Sequence, residues 1–222
     1  CGFIGQKRAG ALAGCQLVAC ADMVWDRAVA LARLTEGAQP VADWRQAVAR
    51  RDVDIVLVCT THEALAHIAL AAISAGKHVL IEKPAARRAA ELAPLSEAAQ
   101  HAGVVVRVGF NHRYHPAMRQ AKALCDTGVL GELLYVRGRY GHGGRPGYEQ
   151  EWRANPALSG GGELIDQGSH LIDLARWFLG NFVEVQGFAH TYYWNMPVED
   201  NAFLLLKTAS QQVALLHASW TE

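Results

Sequence analysis

The sequence has no excess of charge of either sign and no long apolar run. Its 222 residues include 21 Lys+Arg and 21 Asp+Glu, so it lacks the basic face that binds nucleic acid or an anionic membrane surface. Apolar runs such as Asp54-Ile-Val-Leu-Val-Cys59 are far too short to cross a bilayer, and no signal-peptide pattern opens the chain. We therefore expect no nucleic-acid partner and no membrane partner.

The cysteines also lack any regular spacing. There are five of them, with no Cys-x-x-Cys pair: Cys1, Cys15, Cys20, Cys59 and Cys125. Apolar neighbours, as around Cys59, are typical of small buried side chains. A disulfide framework or a zinc site is the alternative, which these spacings do not favour. Free thiols suit a reducing compartment, so a cytoplasmic location is predicted.

Short strands alternate with helices up to about residue 108. Strands are predicted at 17–21, 53–58, 78–81 and 104–108, and helices at 25–37, 63–75 and 87–101. Segment 53–58 is nearly all apolar, as in a parallel strand covered on both faces. Strands separated by helices indicate right-handed βαβ units. This half predicts an α/β fold with a doubly wound parallel sheet.

The pattern changes after Gly109. Helices are predicted at 116–126 and 162–179, and strands at 133–139, 182–194, 202–207 and 212–218. Strands connected directly to strands indicate an antiparallel sheet. We therefore predict one domain over residues 1–109 and a second, α+β domain over 110–222 with an open, mostly antiparallel sheet.

The first residues predict a phosphate-binding turn. Gly2-x-x-Gly5 ahead of a helix matches the second half of Gly-x-Gly-x-x-Gly, where glycines admit a pyrophosphate and allow close helix–sheet packing. The first glycine and its strand would precede Cys1, and the chain stops directly after a strand, so we expect truncation at both ends. A chance glycine pair at a helix start is the alternative.

Asp22 strengthens this interpretation. It lies 20 residues beyond Gly2, directly after an apolar strand, where an acid binds the adenosine ribose hydroxyls. Its carboxylate would repel a 2′-phosphate, and neither Met23 nor Val24 is an arginine, so NAD is favoured over NADP. Basic residues on the first helix keep NADP possible. The alternative is that Asp22 caps the following helix.

Two further clusters are candidates for chemistry. Lys83 in Glu82-Lys83-Pro84 follows a predicted strand, at the sheet edge where ligands bind; a solvated loop is the alternative. Asp166 and His170 lie at i and i+4 of a predicted helix and share a face, as a proton-transferring histidine and its carboxylate would. A polar helix face at a domain junction, with Asp173 capping the helix or pairing with Arg176, is the alternative.

Other polar and aromatic groups are assigned no chemistry. His62 with His67, and His112 with His115, form pairs without a third ligand in register, so no metal site is predicted. The run Tyr192-Tyr193-Trp194 is interpreted as core packing, with a sugar-binding platform as the alternative.

Together these motifs resemble the family of glucose–fructose oxidoreductase, inositol dehydrogenase and the rhizopine-catabolism proteins (Gfo/Idh/MocA) over essentially the whole chain. The resemblance is carried by Cys1-Gly-Phe-Ile-Gly5, Ala21-Asp22, Ala75-Gly-Lys-His-Val-Leu-Ile-Glu-Lys-Pro84, Gly109-Phe-Asn-His-Arg-Tyr114, and Gly160-Gly-Gly with Asp166 and His170. It implies a dinucleotide-binding Rossmann domain, then a domain for substrate binding and oligomerisation. The implied activity is hydride transfer between NAD(P) and a carbinol carbon of a sugar, a sugar derivative or a cyclic polyol.

The resemblance also implies roles for single residues. His170 would accept the hydroxyl proton, Lys83 would stabilise the developing alkoxide, and Asp166 would orient both. Cofactor contacts are implied for Gly2, Phe3, Ile4, Gly5, Asp22, Thr60, His62, Glu82, Lys83, Asn111 and Arg153.

One segment departs from the family pattern. Many members carry Pro-Asn-x-x-His where this chain has Thr61-His62-Glu63-Ala64-Leu65, so cofactor contacts there would differ. An NAD-dependent glycosidase of the same fold, or a non-catalytic nucleotide-binding regulator, is the alternative function. The joint presence of a lysine, an aspartate and a histidine favours an enzyme.

Phe203-Leu-Leu-Leu206 is apolar at every position, which predicts a strand covered on both faces. Helices of the domain can cover one face, but the other is normally wet in an α+β domain. We therefore expect a homodimer or homotetramer joined sheet to sheet, as the resemblance also implies.

Overall fold

The computed structural model describes residues 1–221. The chain divides into two compact units, Cys1–Gly109 and Phe110–Glu222. None of the helices in the described part is both long and apolar enough to cross a membrane.

The first unit alternates helices and short strands. In chain order they are α1 (Phe3–Ala9), β1 (Ala19–Ala21), α2 (Trp25–Ala32), β2 (Gln39–Val41), α3 (Trp44–Ala49), β3 (Ile55–Val58), α4 (His62–Ser74), β4 (His78–Ile81), α5 (Ala93–Ala102) and β5 (Val106–Val108). Every strand pair is parallel. The predicted α/β class with a parallel sheet is confirmed.

These strands form two separate ladders, β1-β2 and β3-β4-β5. Strands β1 and β3 do not pair with each other and both line a largely apolar cavity of about 880 Å³. The central core lies around α4, where Leu65, Ala69, Ala72 and Ile73 are fully buried against β3 and β4. The five parallel strands end at Ala21, Val41, Val58, Ile81 and Val108 and lead into loops at the carboxyl edges of these two ladders.

Some local predictions for this unit were wrong. Strand β2 and helix α3 were not predicted. Pro40 lies in β2, which pairs on one side only with β1, where proline is tolerated. Helix α2 ends at Ala32 rather than near Gly37. Helix α5 begins at Ala93, after a short 3₁₀ turn at Ala89–Glu91.

The second unit is an α+β domain. Its main elements are α6 (Pro116–Asp126), β6 (Tyr135–Gly141), α7 (Pro156–Ser159), α8 (Ser169–Leu179), β7 (Phe182–His190), β8 (Asn201–Thr208) and β9 (Val213–Ser219). The four strands form one sheet of order β6-β9-β8-β7. The β7–β8 and β8–β9 pairs are antiparallel, whereas β6 runs parallel to β9, so the sheet is mixed although mostly antiparallel.

The two faces of this sheet differ. On one face, Leu171, Ala175 and Leu179 of α8 pack on buried side chains of β8 and β9. On the other face Phe203 is 40% and Leu205 is 41% exposed. Within one chain α8 covers only the face of Leu204 and Leu206, and cover of the other face by a second subunit stays a prediction.

The helix predicted over 162–179 is interrupted at its start. Residues Leu164–Gly168 form a π-helical turn that leads directly into α8. Such turns are rare and are frequent at functional sites. This one contains Asp166, and His170 follows it in the first turn of α8.

Candidate functional site

The predicted cofactor residues of the first unit lie mainly at the carboxyl ends of its strands. Asp22 directly follows β1, Thr60 follows β3, and Glu82 and Lys83 follow β4. The Val58–Ile81 register places the ends of β3 and β4 side by side. This is the sheet edge at which doubly wound folds bind ligands.

The glycine turn leaves open space above the backbone. Gly2 is the N-cap of α1 and has an extended conformation. A Cβ at Gly2 would meet nothing within 4 Å, and one at Gly5 would lie in ordinary contact, 3.7 Å from Cys59 Cβ. The packing of the chain therefore requires neither glycine. The neighbouring Phe3 and Ile4 are exposed.

Asp22 lies next to this turn. Its Oδ2 accepts a hydrogen bond from Cys1 N at 2.9 Å, and its Oδ1 accepts one from Val24 N at 2.9 Å. Burial alone would raise the pKa of Asp22, but these two donors and Arg27 outweigh it and hold the pKa below its usual value. The carboxylate is thus ionised at neutral pH. Val24, not Asp22, occupies the N-cap position of α2, so the capping alternative is wrong.

The segment that departs from the family pattern divides into exposed and buried residues. Thr60 is exposed and its hydroxyl donates to Thr61 O at 3.1 Å. His62 is buried as the first residue of α4, and Leu65 is part of the core. The leucine that replaces the family's histidine therefore has a packing role in this chain.

Arg8 was not predicted to belong to the site. Its guanidinium pairs with Glu82 Oε1 at 2.5 Å, and its Nη2 donates to Gly109 O at 3.3 Å. A Cβ at Gly109 would lie 2.9 Å from both Arg8 Nη2 and Glu82 Oε1, so glycine there lets the ion pair form. Arg8 thereby holds the carboxylate beside Lys83, and the sequence contains no local signal for a pair 74 residues apart.

The loop after β4 has a constrained backbone at Lys83. The Lys83–Pro84 peptide bond is cis, and Ala85 has a φ of 76°, a conformation that costs a non-glycine residue about 1 kcal/mol or more. Ala85 is nevertheless almost fully buried, and its N–H donates to Glu82 O at 2.9 Å. The backbone around Lys83 is thus held by packing and hydrogen bonding.

Asp166 and His170 are both buried in the second unit. Asp166 Oδ2 accepts a hydrogen bond from Arg153 Nε at 3.2 Å. Arg153 also pairs with Glu151 at 3.3 Å, and Glu151 pairs with Arg145 at 2.5 Å. The predicted cofactor residue Arg153 therefore contacts the predicted catalytic aspartate directly, whereas Asn111 is an exposed residue of the 3₁₀ turn Asn111–Tyr114.

His170 is surrounded by rings. His112 stacks on it with centroids 3.9 Å apart and an interplanar angle of 17°. Phe110 and Tyr140 meet the same ring edge-on, at 5.9 Å and 6.4 Å. Burial raises the pKa of Tyr140, and Asp166 and Glu163 raise it further, so its phenol stays protonated at neutral pH.

A close backbone contact fixes the start of the π-helical turn. Glu163 N donates to Glu199 O at 2.9 Å, and Leu164 N donates to Glu199 Oε1 at 3.1 Å. A Cβ at Gly162 would overlap the carbonyl oxygen of Glu199. Glycine at 162 is therefore required sterically, and it places the turn that carries Asp166.

The alternative interpretation of the α8 face, in which Asp173 caps the helix or pairs with Arg176, names the wrong partner for Asp173. Asp173 pairs with Arg113 at 2.5 Å, whereas Arg176 donates to Asn181 at 2.8 Å. The described residues contain no group of three or more His, Cys, Asp or Glu placed to hold a metal. His115, a candidate ligand in the sequence, instead caps α6 by accepting from Ala117 N at 3.3 Å.

Asp200 organises the aromatic loop and was missed in the sequence. It is fully buried and accepts hydrogen bonds from the backbone N–H groups of Tyr192, Tyr193 and Trp194, at 2.9, 2.8 and 3.0 Å. Burial would raise the pKa of Asp200, but these donors and Asn201 hold it below its usual value. The half-buried Trp194 packs against a buried cluster, as predicted for this run, whereas Tyr192 and Tyr193 are exposed.

We expect Asp200→Asn to lower the free energy of unfolding by about 3 kcal/mol at pH 7, because hydrogen bonds to a charged acceptor are lost and donors stay buried. The native pKa is depressed, so this contribution is present above the unfolded pKa of about 4 and is lost as pH falls through the native pKa. Urea unfolding at pH 7 and pH 3 measures it. The exposed Asp54→Asn is the control, and an equal difference at both pH values would contradict the assignment.

The comparisons with known proteins cover both units. Residues 1–110 match the oxidoreductase family with an NAD-binding Rossmann fold, and residues 118–222 match the GFO/IDH/MocA C-terminal domain. The chain is 34% identical over 160 residues to levoglucosan dehydrogenase of Pseudarthrobacter phenanthrenivorans, covering 71% of this chain and 41% of that protein. It is 31% identical over 217 residues to inositol 2-dehydrogenase 2 of Saccharopolyspora erythraea, covering 94% and 61%.

Solved structures agree in fold. A levoglucosan dehydrogenase complex with NADH and levoglucosan superposes with a TM-score of 0.90 and 27% identity, covering 100% of this chain and 65% of that one. The chain thus spans between about two fifths and two thirds of the lengths of these relatives. The family resemblance seen in the sequence is confirmed: the chain belongs to the GFO/IDH/MocA family of NAD-binding oxidoreductases.

Proposed function

We propose that the protein is an NAD-dependent dehydrogenase that transfers a hydride between the cofactor and a carbinol carbon of a sugar, a sugar derivative or a cyclic polyol. The observation that carries the proposal is the burial of Asp166, on the π-helical turn, and of His170, in the first turn of α8, in a family that also supplies Lys83 at a Rossmann strand end. Relatives named for levoglucosan and inositol support the substrate class.

The residues present fit a dinucleotide. The open backbone at Gly2 leaves room for a pyrophosphate, since a Cβ there would meet nothing within 4 Å, and the ionised Asp22 would accept hydrogen bonds from the ribose hydroxyls. Further contacts are proposed for Phe3, Ile4, Gly5, Thr60, His62, Glu82, Lys83, Asn111 and Arg153. When bound, the cofactor supplies the hydride acceptor or donor at its nicotinamide ring.

The chain's own groups move and hold the proton. His170 accepts the hydroxyl proton at an imidazole nitrogen as the substrate is oxidised. Lys83 stabilises the developing alkoxide with its ammonium group. Asp166, oriented by Arg153 at 3.2 Å, holds the position of these groups and balances the positive charge formed on the imidazole.

A screen of polyols, aldoses and nucleotide sugars with NAD and NADP tests the proposal. We expect stoichiometric formation of NADH with at least one member of these classes. Glycoside hydrolysis without net NADH would instead favour the NAD-dependent glycosidase. Cofactor binding with no turnover of any substrate would favour the regulator and contradict the dehydrogenase.

The cofactor preference can be tested at Asp22. We expect wild type to bind NAD more tightly than NADP, because the Asp22 carboxylate repels a 2′-phosphate. Asp22→Ser with Met23→Arg should shift the ratio of the Kd values for NAD and NADP toward NADP by about tenfold or more. The double substitution removes one repulsion from the 2′-phosphate and adds one ion pair to it. Asp26→Ser on the exposed face of α2 is the matched control. Tighter NADP binding by the wild type would refute the assignment.

We further propose that the open sheet face of the second unit joins two copies of the chain. Phe203, Leu205 and Leu215 are 40–47% exposed on adjacent strands, and Phe188 pairs with Phe203 in register. An apolar patch of this kind marks an interaction surface. Two copies of the chain that pack this patch against each other form a self-complementary interface, which gives a homodimer. Two such dimers can associate into a tetramer.

Leu205→Glu tests this interface. Burying a carboxylate at the centre of an apolar contact is unfavourable by several kcal/mol, so we expect the mass in light scattering to fall to that of a monomer. Leu34→Glu, at a 76% exposed leucine of the first unit, should leave the mass unchanged. A monomeric wild type at micromolar concentration would contradict the proposal.

A further inference from the structure

The pair formed by His112 and His170 is an observation that the proposed mechanism does not use. The two rings are stacked, with centroids 3.9 Å apart and planes 17° from parallel. His170 is 6% exposed, whereas His112 is half-buried. Tyr140 meets both rings edge-on, at 5.2 Å and 6.4 Å, so the stack is held from the side.

Two imidazoles at this separation cannot both be protonated without strong repulsion. The proton that arrives first favours the ring nearer to solvent, because burial penalises the charged form. His112 therefore takes the first proton as pH falls, and its charge opposes protonation of His170. We propose that His112 is a positioning residue that holds the ring of His170 and keeps it in the neutral, proton-accepting form to lower pH.

Four elements of the second unit pack on α8: the 3₁₀ turn Asn111–Tyr114, the π-helical turn, β6 and β9. Three of them, and α8 itself, carry or adjoin further charged or titratable groups near this stack. They are Arg113 on the 3₁₀ turn, paired with Asp173 of α8, Glu163 and Asp166 around the π-helical turn, and Tyr140 on β6. Strand β9 turns apolar side chains to α8, including Ala214 and Leu216. All of these groups stay unchanged when His112 alone is replaced, so the variants isolate its contribution.

Two substitutions separate the ring from its charge. His112→Phe keeps an aromatic face for stacking and removes the ionisable group. His112→Arg replaces it with a permanent cation that can stack in the same way. We expect the pKa of His170 to rise in the first variant, by about one unit or tenfold in proton affinity, and to stay near the wild-type value in the second, which carries the charge that His112 already holds when His170 titrates.

The pKa of His170 is measured by NMR titration of the whole chain, with its signal assigned by its loss in His170→Asn. The acid limb of the kcat/KM profile should move to higher pH in His112→Phe and stay in place in His112→Arg. A merely structural role for His112 predicts no movement of either quantity in His112→Phe, so an unchanged His170 titration in that folded variant overturns the proposal. His112→Lys, which also carries a cation, replaces the arginine variant as the comparison if that one fails to fold.

The kinetic part of this inference rests on the proposed function, whereas the titration does not. If His170→Asn retains normal turnover, the proposed function fails and the coupling of the two rings is still decided by the titration. If His170→Asn loses turnover but His112→Phe leaves the titration unmoved, the proposed function stands and the role of His112 is refuted.

Discussion

His170→Asn should lower kcat by about 10²- to 10⁴-fold, the range attributed to a positioned acid–base group. Asparagine retains much of the volume but cannot accept the substrate proton near neutral pH. NAD binding should survive, because the predicted pyrophosphate and ribose contacts belong to the first unit. Turnover and cofactor titration measure the two effects separately. His101→Asn, at an exposed histidine near the end of α5, is the matched control and should behave as wild type.

Lys83→Met should have a similar effect, because the alkoxide loses its stabilising ammonium group. Lys83→Arg keeps the charge but not the compact donor, so it should recover only part of the loss. If either histidine or lysine variant keeps near-normal kcat, the role assigned to that residue is wrong. Loss of NAD affinity together with kcat would instead place Lys83 mainly in cofactor binding.

The order of the elements could be predicted from the sequence wherever apolar periodicity was strong. Strand β4 and helices α4 and α6 begin and end within a residue of their predicted bounds. The short β2 could not be predicted, because it contains a proline and its stability depends on pairing with β1. The sequence of β6 likewise does not indicate that this strand pairs in parallel with β9. The relative direction of the two strands depends on a contact between segments far apart along the chain.

The candidate residues that precede or follow elements were easier to find than their partners. Asp22, Lys83 and Asp166 stand next to strand ends or glycines, which the sequence displays. The Arg8–Glu82 pair, the stack on His170 and the N–H groups around Asp200 join residues that are separated along the chain or belong to loops. Such contacts depend on side-chain packing, for which a single sequence contains no periodic signal.

Gly162→Ala should disable the site without touching any proposed catalytic side chain. The added Cβ would overlap the Glu199 carbonyl oxygen and lie 2.9 Å from Glu199 N, and these are backbone atoms that cannot rotate away. Either strand-entry residue Glu199 or the start of the π-helical turn must shift. Overpacking of this kind destabilises by about 1–3 kcal/mol, and a displacement of about 1 Å at a catalytic group can lower turnover about a hundredfold.

Gly161→Ala is the matched control for this prediction. A Cβ there would make only ordinary contacts, 3.4 Å from Ile165 and 3.6 Å from Glu199, so stability and kcat should change little. Thermal unfolding and steady-state kinetics on both variants decide the outcome. Because Asp166 and His170 follow this glycine by one and two helical turns, a folded Gly162→Ala variant with normal kcat would show that the Glu199 contact does not place the pair, and the π-helical turn would then owe its position to α8 alone.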